Sequence, residues 1–201
     1  RSTDVGKEAF ALAGKIVAGP LPDDLGKPQV VVLACDNMTA GKSNPDLDGP
    51  GHTLHERFLW RLFSGDFALY KRYKDHYADK AKLAEALTAV HRPVLILIDE
   101  ILDYVRQLSA SEHKDLAVRD MGFLRALLDT VNDVPNVAMV VVMISSERDP
   151  MHLDADAQGR RAELEALLVR NGKPATVTSH TDFAAILRRR LFDTPPAKEV
   201  V

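Results

Sequence analysis

The feature that most constrains the fold is a short apolar run, Val-Leu-Ile-Leu-Ile at 94–98, which ends in two adjacent carboxylates, Asp99 and Glu100. A continuous apolar run of this length that is rich in β-branched residues is typical of a strand buried on both faces of a parallel sheet. Similar runs occur at 29–35 and 137–144, and segments with helical periodicity separate the three. Strands that alternate with helices predict an α/β fold in which right-handed crossovers wind a mostly parallel sheet.

The remaining segments complete one domain. Helical periodicity and capping residues predict helices at 4–17, 53–63, 78–90, 101–108, 116–131, 158–169 and 181–191, and 176–177 is a candidate short strand. The stretch 36–52 is rich in Asn, Asp, Gly and Pro, so we predict a loop there. We expect residues 1–193 to form the domain and 194–201 to be a frayed tail. Because the chain begins at Arg1 without an initiator Met, we expect a fragment whose first strand is missing.

The acidic pair suggests the chemistry. A carboxylate buried at the end of a core strand costs several kcal/mol unless a cation or hydrogen-bond donors compensate for it. In P-loop ATPases such a pair is the Walker B motif: the first acid binds Mg²⁺, and the second orients and deprotonates the water that attacks the γ-phosphate. We predict Asp99 as the metal ligand and Glu100 as the general base, separated because successive strand residues point to opposite faces. Alternatively, both are ordinary acids at the positive end of the following helix.

Polar residues elsewhere could complete such a site. Ser145 and Ser146 follow the third strand, where AAA-type ATPases place a sensor that contacts the γ-phosphate or the attacking water; a hydroxyl that caps the loop is the alternative. Arg188 begins a run of three arginines in the last turn of a predicted helix, where cations suit the helix dipole. In an AAA-like protein this region could instead supply an arginine to the γ-phosphate of its own or a neighbouring subunit, the latter in a homo-oligomer.

The phosphate-binding loop, Gly-x-x-x-x-Gly-Lys-[Ser/Thr], has no clean counterpart. Ala-Gly-Lys-Ser at 40–43 follows a strand, but Asp36 stands at the first glycine position. We also expect that no helix begins at 44–50, and a phosphate loop without a helix N-terminus loses its dipole and its row of donors. We therefore reject this run.

Gly6 and Lys7 are better placed, because a predicted helix starts there and a buried strand follows it. However, Arg1 stands at the first glycine position, and Glu8 replaces the hydroxyl that binds Mg²⁺. Lys7 is therefore either a degenerate Walker lysine or an ordinary lysine at a helix start. For this reason we expect the isolated chain to fold but to bind ATP weakly or not at all.

Several stretches together resemble a family of large prokaryotic ATPases of unknown function. They are Thr-Leu-His-Glu at 53–56, Trp-Arg-Leu at 60–62, and the segments 92–100, 121–127 and 186–192. The resemblance implies a three-layer α/β/α P-loop core of AAA type that uses ATP and Mg²⁺, with the family's Walker A loop mapping onto Gly6 and Lys7. It also implies a role in phage defence or DNA processing, with DNA or DNA-processing proteins as partners of the parent chain.

Composition narrows the remaining choices. With 46% hydrophobic and 27% charged residues and a net charge of −3, the chain has no bulk electrostatic reason to bind nucleic acid on its own. A single cysteine suits the cytoplasm, and no apolar run approaches the length needed to span a membrane. The leading interpretation is an Mg²⁺-dependent ATPase. The alternative is a catalytically degenerate scaffold that binds protein or nucleic-acid partners.

Overall fold

The computed structural model describes residues 27–108, 111–143 and 155–173. Within these ranges the chain has a mixed α/β fold with three strands and seven α-helices. In chain order the elements are β1 (Gln29–Ala34), α1 (Pro45–Asp48), α2 (Leu54–Leu62), α3 (Phe67–Tyr73), α4 (Lys80–Thr88), β2 (Val94–Asp99), α5 (Ile101–Gln107), α6 (Lys114–Val131), β3 (Val137–Val142) and α7 (Ala155–Asn171). The predicted alternation of strands and helices is confirmed.

The three strands form a parallel sheet in the order β1-β2-β3. Their register is unbroken, so that Ala34, Asp99 and Val142 lie side by side at the carboxyl end. The central strand is therefore the one that carries the acidic pair. β3 is its direct neighbour, which is the strand arrangement that the sensor hypothesis requires.

Within the described residues the strands are covered on one face only, whereas the sequence predicts burial on both faces. Along β1 the burial alternates: Val31 and Leu33 are fully buried, whereas Val30 and Val32 are exposed. The buried face joins α2, α5, α6 and α7 in one hydrophobic core. Both faces of the sheet are apolar, so composition does not show which of them the described helices cover.

Helix α2 begins with a capping box. The Thr53 hydroxyl accepts a hydrogen bond from the Glu56 N–H, and the Glu56 carboxylate accepts one from the Thr53 N–H. This arrangement satisfies N–H groups that have no partner inside the helix. It fixes the start of α2 one residue after the predicted position, and Phe63 is its C-cap.

Helix α3 was not predicted. Its start is capped by Asp66, whose carboxylate accepts hydrogen bonds from the N–H groups of Ala68 and Leu69. Its buried residues are Tyr70 and Tyr73. The helix has only seven residues, which is too short a stretch for helical periodicity to be visible in the sequence.

The segment predicted as a loop contains two short helical turns, a 3₁₀ turn at Cys35–Asn37 and the four-residue helix α1. The expectation that no helix begins at 44–50 is therefore wrong. Asn44 caps α1 by accepting a hydrogen bond from the Asp46 N–H. Pro45 suits the first helical position, where no N–H donor is needed.

Several predicted elements lie outside the described residues: the helices at 4–17 and 181–191, the strand at 176–177 and the tail at 194–201. Among the helices that are described, none combines the length and the apolar character that crossing a membrane would require.

Candidate functional site

The acidic pair lies where the central strand turns into α5. Asp99 is the last residue of β2, and its side chain is exposed. Glu100 has a left-handed backbone, with φ 52° and ψ 38°, and its N–H still donates to the Val142 carbonyl at 3.1 Å. We expected the alternation of side chains along a strand to separate the two carboxylates. Because Glu100 is not a strand residue, the left-handed turn at Glu100 separates them instead. A left-handed backbone is costly for a residue other than glycine and recurs at functional sites.

Two further carboxylates join the pair and form what we call the acidic edge: Asp36, Asp99, Glu100 and Asp103. Partial burial raises the pKa of Glu100, and the negative charges of Asp36, Asp99 and Asp103 raise it further. Asp36 lies in the 3₁₀ turn after β1, and Asp103 lies in the first turn of α5. A carboxyl group whose pKa is raised toward the working pH is better suited to accept a proton from water.

The acidic edge offers carboxylate oxygens, which are the type of ligand that Mg²⁺ takes. Such an ion is usually held by one or two carboxylates together with waters and substrate phosphates. Asp99 presents an exposed carboxylate, and the mutual repulsion that raises the pKa of Glu100 is relieved by a nearby cation. In the ranges the structure covers, no three His, Cys, Asp or Glu side chains converge to form an all-protein metal cage.

Two of the main-chain donors of the Ala-Gly-Lys-Ser run at 40–43 are already engaged. The Ala40 N–H donates to Gln107 Oε1 at 2.9 Å, and the Lys42 N–H donates to the Thr39 carbonyl at 3.2 Å. Arg57 donates to the carbonyls of Thr39, at 2.7 Å, and of Lys42. A phosphate loop needs its N–H groups free to face the ligand. The contacts at 40–43 therefore hold a structural turn.

Behind this turn lies the first half of what we call the buried polar cluster: Asp48, Arg57, Arg61, Tyr104 and Asp120. Arg57 is fully buried, and Asp48 is 3% exposed. Asp48 pairs with Arg61 at 2.6 Å and with Arg57 at 3.7 Å. Our sequence reasoning missed this group, although the i, i+4 spacing of the two arginines places them on one face of α2.

The second half of the buried polar cluster joins three helices. Asp120 of α6 accepts hydrogen bonds from the Tyr104 hydroxyl of α5 at 2.6 Å and from the Leu54 N–H of α2 at 3.0 Å. Burial raises the pKa of Asp120 to about 6, although both hydrogen bonds and the charge of Arg57 act in the opposite direction. The Arg57 guanidinium lies 5.8 Å from the centre of the Tyr104 ring. These contacts anchor α5, the helix that begins directly after Glu100.

His55 belongs to the stretch that resembles the ATPase family, and it is buried against the hydrophobic core. It is 1% exposed and packs against the ring of Phe123, with 5.1 Å between ring centres. Burial and the positive charge of Arg119 lower the pKa of His55 to about 3, and the Lys74 main chain acts weakly in the opposite direction. His55 is therefore a neutral core residue.

The structure brings Asp99 and Glu100 together with Asp36 and Asp103, which were not predicted. Asp36 could have been found, because it follows β1 directly and the carboxyl ends of neighbouring parallel strands share one edge. The other predicted site residues lie outside the described residues; they are Gly6, Lys7, Ser145, Ser146 and Arg188.

Comparison of the chain with protein-family models, curated protein sequences and solved structures gives no match. The resemblance to the prokaryotic ATPase family therefore stays a prediction.

Proposed function

We propose that this chain is the core of an Mg²⁺-dependent P-loop ATPase of three-layer α/β/α architecture. The observation that carries the proposal is the exposed Asp99 at the end of the central parallel strand, followed by Glu100 with a raised pKa. Ligands of open parallel sheets bind at the carboxyl ends of the strands, and both acids lie there.

In this proposal the two acids divide the work. Asp99 contributes a carboxylate ligand to the Mg²⁺ that accompanies ATP, and the ion, when bound, neutralises charge on the phosphates. Glu100 orients a water molecule and accepts its proton on a carboxylate oxygen. The water oxygen bonds to the γ-phosphorus while the bond from that phosphorus to the β-phosphate oxygen breaks, so that ADP leaves. The contacts of Tyr104 with Asp120 and of Gln107 with Ala40 hold α5, and with it the backbone of Glu100, in place.

The resemblance extends the proposal to residues outside the described ranges. Gly6 and Lys7 would bind phosphate, Ser145 or Ser146 would act as the sensor, and Arg188 would reach the γ-phosphate. The resemblance also supports a role in phage defence or DNA processing, with DNA or DNA-processing proteins as partners.

A catalytically degenerate scaffold is the second candidate, and one observation favours it. In the Ala-Gly-Lys-Ser run at 40–43, the N–H groups of Ala40 and Lys42 are in internal hydrogen bonds. The remaining predicted phosphate-binding residues are Gly6 and Lys7. Isothermal titration of the full-length protein with Mg-ATP distinguishes the candidates, because an ATPase binds and a scaffold does not. For the isolated chain we expect binding weaker than micromolar.

The decisive experiment for the ATPase is Glu100→Gln in the full-length protein. If Glu100 is the general base, turnover falls by about 100-fold or more while Mg-ATP affinity stays near wild type. Glu112→Gln is the matched control, since it makes the same change at an exposed site beside α6 and is expected to keep turnover near wild type. Unchanged turnover in Glu100→Gln would remove Glu100 from the mechanism.

A further inference from the structure

One face of the sheet is apolar and open in the part of the chain that the structure describes. We call it the open sheet face, and its apolar residues are Val30, Val32, Leu95, Leu97, Ala138, Val140 and Val142. The valines of the two edge strands are 44% to 50% exposed. The register places the residues in rows across the three strands, so they form one continuous surface.

An apolar surface of this kind is unusual on a folded protein. Parallel sheets are covered on both faces almost without exception, and large exposed apolar patches mark interaction sites. The open sheet face carries no lysine or arginine and only one charged side chain, Asp99, at its carboxyl end. It therefore requires an apolar partner rather than a charged one.

The chain itself contains a segment that matches this face. Residues 4–17 include only four charged side chains, and the apolar residues Val5, Ala9, Leu12 and Ile16 recur at the spacing of one helical face. A helix of this length is about 21 Å long, close to the roughly 20 Å span of a six-residue strand. The smaller C-terminal candidate at 181–191 carries three consecutive arginines, which suit an apolar surface poorly.

The position of the segment in the chain also fits. Residues 18–28 separate it from the start of β1 and can span up to about 36 Å when extended. A helix that precedes a parallel strand runs antiparallel to it, so its last turn lies beside the amino ends of the strands. We propose that residues 4–17 pack as a helix on the open sheet face, with Ile16 near Val30 and with the helix covering the valines of β1 and β3.

The proposal is tested by cysteine cross-linking in the full chain. Cys35 is the single cysteine and is buried, so Cys35→Ala provides the background. Ile16→Cys combined with Val30→Cys is expected to cross-link within one molecule when treated with a short bis-maleimide at low protein concentration. The control pairs Ile16→Cys with Val118→Cys, because Val118 is 68% exposed on α6, beyond the covered face of the sheet. This pair is expected not to cross-link.

Intact mass and a denaturing gel separate the outcomes. Cross-links between chains would show that a second copy covers the face, and cross-linking of Val30→Cys to Ile186→Cys instead would assign it to the C-terminal segment. Either result, or no cross-link, overturns the proposal.

A second measurement does not depend on cross-linker geometry. A Val32→Cys side chain that is covered should react with a maleimide at least about tenfold more slowly than Val118→Cys, since it reacts only after local opening. Adding Ile16→Asp should restore fast labelling of Val32→Cys. If Val32→Cys and Val118→Cys are labelled equally fast in the protein that keeps Ile16, the face is open and the proposal is refuted.

Discussion

The buried polar cluster and the acidic edge both contain carboxylates, and they differ in how those charges are compensated. In the buried polar cluster, Asp48 faces two arginines, and Asp120 receives two hydrogen bonds. At the acidic edge, the side chains of Asp99 and Glu100 have neither an ion pair nor a hydrogen bond within the described ranges, and Glu100 is surrounded by like charges.

The difference indicates what each group is for. Buried charges are tolerated when partners replace the lost water, and removing one partner leaves the other uncompensated. The buried polar cluster therefore holds helices and a loop together. Exposed like charges at the end of a core strand do not stabilise the fold in this way. A partner from solution, such as a cation, would relieve their repulsion at the acidic edge. The predictions below test this contrast.

The largest effect is expected for Arg57→Leu. The substitution removes the donor to the Thr39 and Lys42 carbonyls and one of the two cations beside the buried Asp48. We expect the free energy of unfolding to fall by about 3–5 kcal/mol, measured by urea denaturation at neutral pH. The control is Arg106→Leu on α5, whose exposed ion pair with Asp103 should contribute less than about 1 kcal/mol. Equal losses in the two variants would contradict a structural role for the buried polar cluster.

A smaller effect is expected from the titration of Asp120. Its pKa rises from an ordinary value of 3.8 to about 6 in the folded protein, so the folded state binds this proton more tightly than the unfolded state. The protonated form of Asp120 therefore contributes to the free energy of unfolding. This contribution is fully present below about pH 4 and is lost as the pH rises through 6, which lowers the free energy of unfolding by about 3 kcal/mol.

The measurement compares wild type with Asp120→Asn from pH 4 to 7, since the variant keeps a side chain that accepts the Leu54 hydrogen bond but does not titrate. Other titrating groups, including His55, contribute equally to both proteins. The stability of wild type should fall relative to Asp120→Asn across this range. A constant difference between the two would show that Asp120 does not titrate there.

The smallest effect has the opposite sign. Glu100 has φ 52°, which glycine adopts without a steric cost, so Glu100→Gly should raise the free energy of unfolding by about 1 kcal/mol while abolishing ATP turnover. His91→Gly is the matched control, because His91 has φ 54° away from the acidic edge. It should stabilise the protein similarly and leave turnover unchanged. If Glu100→Gly destabilises the protein, Glu100 has a structural role that its contacts do not show.

The sequence predicted some features of the fold and of the candidate site and missed others, depending on whether a feature is local in the chain. The three strands and the helix after Glu100 were visible because β-branched apolar runs and helical periodicity are local signals. Helix α3 was missed because its seven residues are too short a stretch to show a helical period, and α1 was rejected although Pro45 and Asn44 are ordinary residues at a helix start. The link between Asp120 and Tyr104 was not predictable, because it joins two helices through a contact between side chains.

The sequence by itself determined that parallel strands alternate with helices and that Asp99 and Glu100 follow a core strand, since both are written in contiguous residues. The tertiary structure alone decided that this strand is central and that Asp36 joins the acidic edge. It also decided that Arg57 donates hydrogen bonds to the 40–43 turn. It also decided which apolar face of the sheet the described helices cover. The physical reason is that strand order, charge compensation and burial depend on residues distant in the chain, whose proximity no local pattern encodes.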